Sequence, residues 1–418
     1  MVSRQSTRLT SATPAIADAH FRAEAQPYDR QRRPDGYLNL GTAENRLLWD
    51  TLHDRVARLT PMTEQTTRYA PLHGTPELRE WIAALLSTSC QTLLHPDELV
   101  VISGATGALD AIATALCDPG EAIVVPAPYY GAFDTDLAGR SGARIIPAPL
   151  RADNGFRLDA AAVDRALTEA RAQGEAVRAV ALSSPSNPVG EVHTPETLTA
   201  LLRVVRAHDV DLITDEIYAH ATFGDRPFTS LVDPAVNPDW ADRTHLVWGF
   251  AKDFGLPGLK AGVLHTRHPD VLTAARALAY FAPVSTATQD LLAQLLADPA
   301  WVTAFLAEGR RRLAASYAHA TALLDTHAIP YAPAEGGFSV WLDLSRWTGP
   351  AWQGEERLWR GLFESARVSI LPGSAFHSPH PGWFRMCHTM DAELVTEAVR
   401  RTAAHLAHAP ADESGAPV

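Results

Sequence analysis

Residues 248–262 read Trp248-Gly249-Phe250-Ala251-Lys252-Asp253-Phe254-Gly255-Leu256-Pro257-Gly258-Leu259-Lys260-Ala261-Gly262. Lys252 and Lys260 are the only two lysines in 418 residues; the other 34 of the 36 basic residues are arginine. A chain that uses arginine for its surface cations keeps lysine where arginine cannot serve. Arginine stays charged at any working pH, whereas a desolvated lysine loses its proton and attacks a carbonyl. The neighbours suit that task. Gly255, Gly258 and Gly262 let backbone approach a bulky ligand, and Phe250, Phe254 and Leu256 supply apolar walls.

Outward from this stretch, short apolar runs alternate with helical patterns. Strands are expected at 99–102, 122–125, 144–148, 177–182, 210–214, 245–248 and 262–265, with helices at 108–116, 160–173 and 195–208 between them. Such alternation implies an α/β fold, a mostly parallel seven-stranded sheet whose sites lie at the strand C-termini. Thr75-Pro76-Glu77 reads as a capped helix start. The pattern over 299–326 is one long helix or two in succession. Strands at 338–344, 368–371 and 384–388 and helices at 352–365 and 391–407 then lose the strict alternation, which predicts a smaller α+β domain. The expected organisation is a flexible N-terminal arm (1–30), a segment packing on the small domain (31–60, with a helix over 47–59), a large domain (61–300), a small C-terminal domain (301–408) and a disordered tail (409–418).

Net charge is −12, which argues against a nucleic-acid partner and against an anionic membrane surface. No apolar run is long enough to span a bilayer. Three cysteines without a paired motif point to reduced thiols and a cytoplasmic setting. The first twenty residues lack the apolar core of a signal peptide. The seventeen histidines show no zinc spacing, so no metal is expected.

Four features fall at predicted strand ends. Ser103-Gly104-Ala105-Thr106 opens a helix whose N-terminal amides suit an anion. Asn187 lies between Pro185 and Pro188, which stiffen its loop. Asp215 ends an apolar strand, where a buried carboxylate is costly unless a cation meets it, and Tyr218 follows. Lys252 is the fourth. One cofactor uses all four: pyridoxal 5′-phosphate. Its phosphate would take the helix N-terminus at Ala105 and Thr106, and Asn187 and Tyr218 would hydrogen-bond its phenolic oxygen. Asp215 would keep its ring nitrogen protonated, and Lys252 would capture its aldehyde and later act as base at the substrate α-carbon.

Asn187-Pro188-Val189-Gly190, Asp215-Glu216-Ile217-Tyr218 and Lys252 with Gly255 and Gly258 resemble, in this order, the motifs of fold-type I pyridoxal-phosphate enzymes of the class I/II aminotransferase group. Within that group the chain is most similar to 1-aminocyclopropane-1-carboxylate synthases, through Pro27-Tyr28-Asp29, Gly41-Thr42-Ala43-Glu44-Asn45, Pro128-Tyr129-Tyr130-Gly131, Lys252-Asp253-Phe254-Gly255 and Pro381-Gly382-Trp383-Phe384-Arg385. The resemblance implies that Arg385 clamps the substrate carboxylate and that Tyr130 or Tyr129 stacks on the cofactor ring. It places Ala43, Glu44, Tyr129 and Asn187 on the substrate side. It has Tyr69 reach the phosphate of the other subunit, which requires a homodimer with active sites at the interface. Two positions depart from the group. Gly249 stands where a phosphate-binding serine is usual, and Lys260 where an arginine is.

The expected substrate is an α-amino acid, and S-adenosylmethionine above others. Its sulfonium is a good leaving group at Cγ, so deprotonation at Cα leads to loss of methylthioadenosine. Cyclopropane closure would follow, or capture of a vinylglycine-type species by a second reactant. The alternatives are an aminotransferase using the same residues and a non-catalytic, ligand-sensing relative.

Overall fold

The computed structural model describes residues 2–3, 6–7, 15–60 and 62–408. The expected tail, 409–418, and most of the first fourteen residues lie outside that range. Strands are numbered along the chain: β1 (Leu38–Asn39), β2 (Leu99–Ser103), β3 (Ala122–Ala127), β4 (Arg144–Pro149), β5 (Val177–Ser183), β6 (Asp211–Asp215), β7 (Thr244–Gly249), β8 (Ala261–His265), β9 (Tyr331–Ala332), β10 (Ser339–Asp343), β11 (Val368–Ser369), β12 (Leu371–Pro372) and β13 (Trp383–Cys387).

Seven of them form one sheet in the order β2-β8-β7-β6-β5-β3-β4. The run β7-β6-β5-β3-β4 is parallel throughout. β8 alone runs against both of its neighbours. The strands read as near-continuous apolar segments because helices cover both faces, as parallel sheets require. On one face Ile102, Ile112, Val125 and Leu264 share a core. On the other Val180, Leu198, Leu202 and Leu212 share another. This geometry brings the C-terminal ends of β2, β5, β6 and β7 to one edge, which the reversed β8 enters with its first residue.

A four-stranded antiparallel sheet, β12-β13-β10-β9, forms the smaller unit. Val340, Leu342, Phe384 and Met386 pack there against Leu358, Leu362, Val395 and Val399. β1 pairs in parallel with β11, Leu38 with Val368 and Asn39 with Ser369. That pairing hangs the N-terminal segment on the small sheet and leads residues 40–45 across the strand ends of the large one. The helix Pro299–Thr326 is one unbroken rod of 28 residues, about 42 Å at 1.5 Å per residue. Asp298 caps it by accepting from the Trp301 amide at 3.1 Å. Phe305 and Leu306 sit in the core beside the large sheet, and Ala320 and Leu324 in the core of the small one, so a single helix joins the two.

Three readings need correction. The loose arm expected over residues 1–30 contains a helix, Ala15–Ala25, with Ala19 and Ala23 buried and Arg22 bonding Glu364 at 2.8 and 2.9 Å. The expected strand 368–371 is two strands, because Ser369 pairs with Asn39 whereas Leu371 pairs with Arg385 on another sheet. Helices Pro269–Leu278 and Thr286–Leu296, which the sequence reading passed over, stand between β8 and the long helix. The Thr75 cap does form, its hydroxyl accepting from the Leu78 amide with Pro76 in the first turn. Among the described residues no helix is long and apolar enough to cross a membrane.

Candidate active site

Each strand end at the shared edge delivers one chemical group. β2 gives way directly to the helix Gly104–Leu116, so the amides of its first turn face the edge, and no side chain caps them. Gly104 has φ +75°, and Gly262 lies so close that a Cβ on it would sit 2.4 Å from the Gly104 carbonyl oxygen. Only glycine allows that approach. Lys260, left-handed at φ +50°, reaches back over this turn: its Nζ lies 3.6 Å from where a Cβ on Gly104 would be. Thr106 donates its hydroxyl to Asp136 Oδ2 at 3.1 Å.

β6 ends in Asp215, 4 % exposed. Its Oδ1 accepts from the Ile217 amide at 3.2 Å. Among the described residues no cation forms an ion pair with it, and burial, with the charge of Asp136 adding to it and that of Lys252 opposing it, pushes its carboxyl up to about 7. Tyr218 is buried edge-on against Phe338, ring centres 5.1 Å apart, and burial raises its hydroxyl. Beyond β7, the Lys252 amine donates to the carbonyl of Ala43. Burial first, and the charge of Arg385 second, bring that amine down to about 8. Arg385 comes from β13 of the small sheet. Its Nη1 donates to Asn187 Oδ1 at 3.1 Å and its Nη2 to the Gly41 carbonyl at 2.5 Å. The third guanidinium donor, Nε, is buried without a partner among the described residues.

These groups line one cavity of about 340 Å³. Lys252, Asp215, Tyr218, Asn187 and Arg385 all open onto it, as do Ala43, Ala105, Thr106, Tyr130 and Lys260. Three residues chosen from the sequence do not. Tyr129 turns away, its hydroxyl donating to Asp134 at 2.9 Å and its ring stacked on His377 at 4.7 Å. Glu44 stands just outside, paired with Arg46 at 2.8 Å, though its charge still acts on Lys252. Tyr69 is fully exposed at 102 % relative accessibility, away from the cavity. Asp136 is the residue that the sequence reading missed. It lines the cavity between Thr106 and Lys260, and burial pushes its carboxyl up to about 6. Its only sequence signal is its place three residues after Phe133, within the first turn of helix that follows the tyrosine pair.

A second, larger cleft of about 750 Å³ adjoins the cavity and shares Tyr130 and Arg385 with it. It runs between residues 131–135 of the large unit and Trp352, Trp359, Phe376 and His377 of the small one.

The donor set fits pyridoxal phosphate. A buried carboxyl without a cation can meet a protonated ring nitrogen, and an amine near 8 can capture an aldehyde. A helix N-terminus under an ammonium group is a cradle for a phosphate. Sheet order, reversed strand and donor set together define a fold-type I pyridoxal-phosphate enzyme. The chain belongs to the aminotransferase class I and II family, whose model matches residues 35–401. It is 33 % identical over 394 residues to 1-aminocyclopropane-1-carboxylate synthase 6 of Arabidopsis thaliana, covering 90 % of this chain and 80 % of that one. It is 32 % identical over 401 residues to the probable aminotransferase ACS12 of the same plant, covering 91 % and 81 %. Among solved structures it is similar to the aspartate aminotransferase of Thermus thermophilus with maleate, at a TM-score of 0.82 and 24 % identity, covering 97 % of this chain and 99 % of that one. The protein is therefore a pyridoxal-phosphate-dependent enzyme of the lyase and transferase kind.

Proposed function

We propose that the substrate is S-adenosylmethionine and that the reaction expels methylthioadenosine from Cγ. The observation that carries this reading is the position of Arg385, at the junction of the two cavities. A carboxylate held by its guanidinium leaves the α-carbon beside Lys252 and sends the side chain into the 750 Å³ cleft, a volume in the range of sites for large small-molecule ligands. The Arabidopsis relative is named for making 1-aminocyclopropane-1-carboxylate, the product that closure onto Cγ would give, which supports the same reaction.

When bound, the cofactor's protonated ring draws off the electron pair left at the substrate α-carbon. The chain's residues do the rest. Asp215 would hold the proton on the ring nitrogen. Tyr218 and Asn187 would donate to the phenolic oxygen, Tyr130 would cover the ring, and Ala105, Thr106 and Lys260 would hold the phosphate. Arg385 fixes the carboxylate so that the Cα–H points at Lys252, and Lys252 Nζ takes that proton. The Cγ–S bond then breaks as the α-carbon's electron pair closes onto Cγ, or as a second proton leaves Cβ and that pair forms the Cβ=Cγ double bond; in both routes sulfur keeps the Cγ–S pair and leaves as a neutral thioether.

The working unit of this proposal is a homodimer. Exposed Tyr69, Tyr280 and Phe281 gather on one edge, where the Arg68 carbonyl accepts from Thr286 at 3.2 Å. A second copy covering that edge would bring its Tyr69 to the phosphate. Three free, buried cysteines suit a cytoplasmic setting.

The test is mass spectrometry on loaded protein with S-adenosylmethionine, against a Lys252→Ala control. Methylthioadenosine above the control supports elimination, and the co-product separates cyclopropane closure from capture by a second reactant. The second reading is amino-group exchange with a keto acid, which the similarity to ACS12 favours. Exchange without methylthioadenosine would establish it and overturn the first.

A further inference from the structure

Behind the loop that carries Lys252 lies a separate pocket of about 260 Å³, between the helix Pro76–Ser89 and the start of the long helix Pro299–Thr326. Its walls are apolar: Trp81, Leu85, Leu296, Val302 and Leu306. At roughly 30 Å³ per liquid water, it has room for a ligand of about eight to ten heavy atoms. Four polar side chains line it: Thr88 and Thr303, whose hydroxyls donate to the carbonyls of Ala84 and Pro299 on their own helices, and His220 and Arg310. The His220 ring takes one bond, Nε2 with the Ser89 hydroxyl at 3.1 Å. Burial and the neighbouring Arg310 charge hold the ring neutral by bringing it down to about 4. Arg310 makes no hydrogen bond and no ion pair among the described residues, although its neighbours Arg311 and Arg312 both bond Glu308. No acidic residue lines the pocket. A guanidinium without a hydrogen-bond or ion-pair partner, whose charge reaches buried Asp253 only at longer range, stands over an apolar hollow and suits an anion with a hydrocarbon body.

We propose that this pocket binds a small apolar monocarboxylate, its carboxylate on Arg310 and its hydrocarbon between Trp81 and Leu306. An amino acid fits less well, because no carboxylate lines the pocket to receive its ammonium. The site is placed to affect the catalytic lysine. The backbone amide of His220 donates to Asp253 Oδ2 at 3.3 Å, and the Trp248 indole donates to the same oxygen at 2.9 Å. Asp253 is next to Lys252 in the chain and 5 % exposed, and its Oδ1 is buried without a partner among the described residues. A ligand that moves His220 therefore shifts the anchor of the loop that aims Lys252.

The experiment is calorimetric titration of the loaded protein with 4-methylpentanoate and with 4-methylpentanamide, alongside Arg310→Gln and Ala84→Trp. Ala84 is exposed at the pocket's rim, so the second variant blocks the mouth without entering the core. The acid should show a binding component that weakens at least tenfold in both variants and that the amide lacks. The Arg385 site remains intact in both variants and supplies an internal control. An absent component, one that survives both substitutions, or one shown equally by the amide overturns the proposal. In a parallel pH titration followed by visible absorbance, the midpoint should move when the acid is present at a saturating concentration. A bound probe that leaves the midpoint in place overturns the link to Lys252.

Discussion

Arg385 Nη1 donates to Asn187 Oδ1 at 3.1 Å, joining β13 of the small sheet to the loop after β5 of the large one. The two residues are 198 positions apart in sequence, and this bond holds the guanidinium over the cavity before any substrate arrives. Arg385→Lys keeps the charge but loses the fork that spans Asn187, Gly41 and a carboxylate. The expected loss is about 2 kcal/mol of transition-state binding, roughly thirtyfold in kcat/KM, read from steady-state kinetics. An unchanged kcat/KM would remove Arg385 from the substrate site.

Lys252 carries a pH signature. Its amine is brought down to about 8, so it is charged below that pH and neutral above it. Only the neutral amine attacks an aldehyde. Capture of pyridoxal phosphate by the cofactor-free protein should therefore speed up as pH rises, with a midpoint near 8, and level off above it. Borohydride trapping followed by peptide mapping should place the label on Lys252. A label on Lys260 would refute the assignment.

Gly249 and Lys260 give a paired test at the phosphate end. A Cβ on Gly249 would lie 2.9 Å from the Ala261 carbonyl oxygen and 3.3 Å from Gly262 Cα, so a serine there must push β7 and β8 apart. Gly249→Ser should cost about 1–3 kcal/mol of stability, seen as a lower midpoint in denaturant. Lys260→Arg keeps the backbone and replaces a point charge with a fork. It should tighten the cofactor dissociation constant by roughly threefold to tenfold, measured by absorbance. Equal affinities would mean that Lys260 does not touch the phosphate.

The dimer proposal predicts complementation. If Tyr69 serves the partner's site, a hybrid of Tyr69→Leu and Lys252→Ala chains contains one site with neither change. Mixing the two purified, nearly inactive variants with brief unfolding and refolding should restore about a quarter of wild-type activity, the share expected from random pairing of two-fold symmetric subunits. No recovery would place Tyr69 outside the site.

Much of this was legible from residues whose role is local. The strands expected at 99–102, 210–214 and 245–248 formed, each running one residue further, to Ser103, Asp215 and Gly249, and the Thr75-Pro76 cap formed as read. What stayed hidden depended on distant partners. Ala15–Ala25 looked loose because its alanines are helix-competent but only weakly apolar, and its burial comes from a small-unit core more than three hundred residues away. Residues 368–371 looked continuous because alternation does not show that Ser369 and Leu371 pair on different sheets. Tyr129 and Tyr130 are equivalent by pattern, and only Asp134 and His377 reveal which one is already engaged. Asp136 could not be singled out, since its meaning rests on Thr106, thirty positions earlier.

The scarcity of lysine has a practical side. Both lysines line the same cavity, Lys252 at its floor and Lys260 exposed at its mouth, and apart from histidine every other basic side chain is arginine. To an acylating reagent the outer surface of this protein is nearly silent. Amine labelling, glutaraldehyde fixation or coupling to an activated resin would act on the N-terminus and on the catalytic chamber, and almost nowhere else. Immobilisation by amine chemistry would therefore inactivate the enzyme in proportion to its success, while the same chemistry, run sparingly, would count working sites.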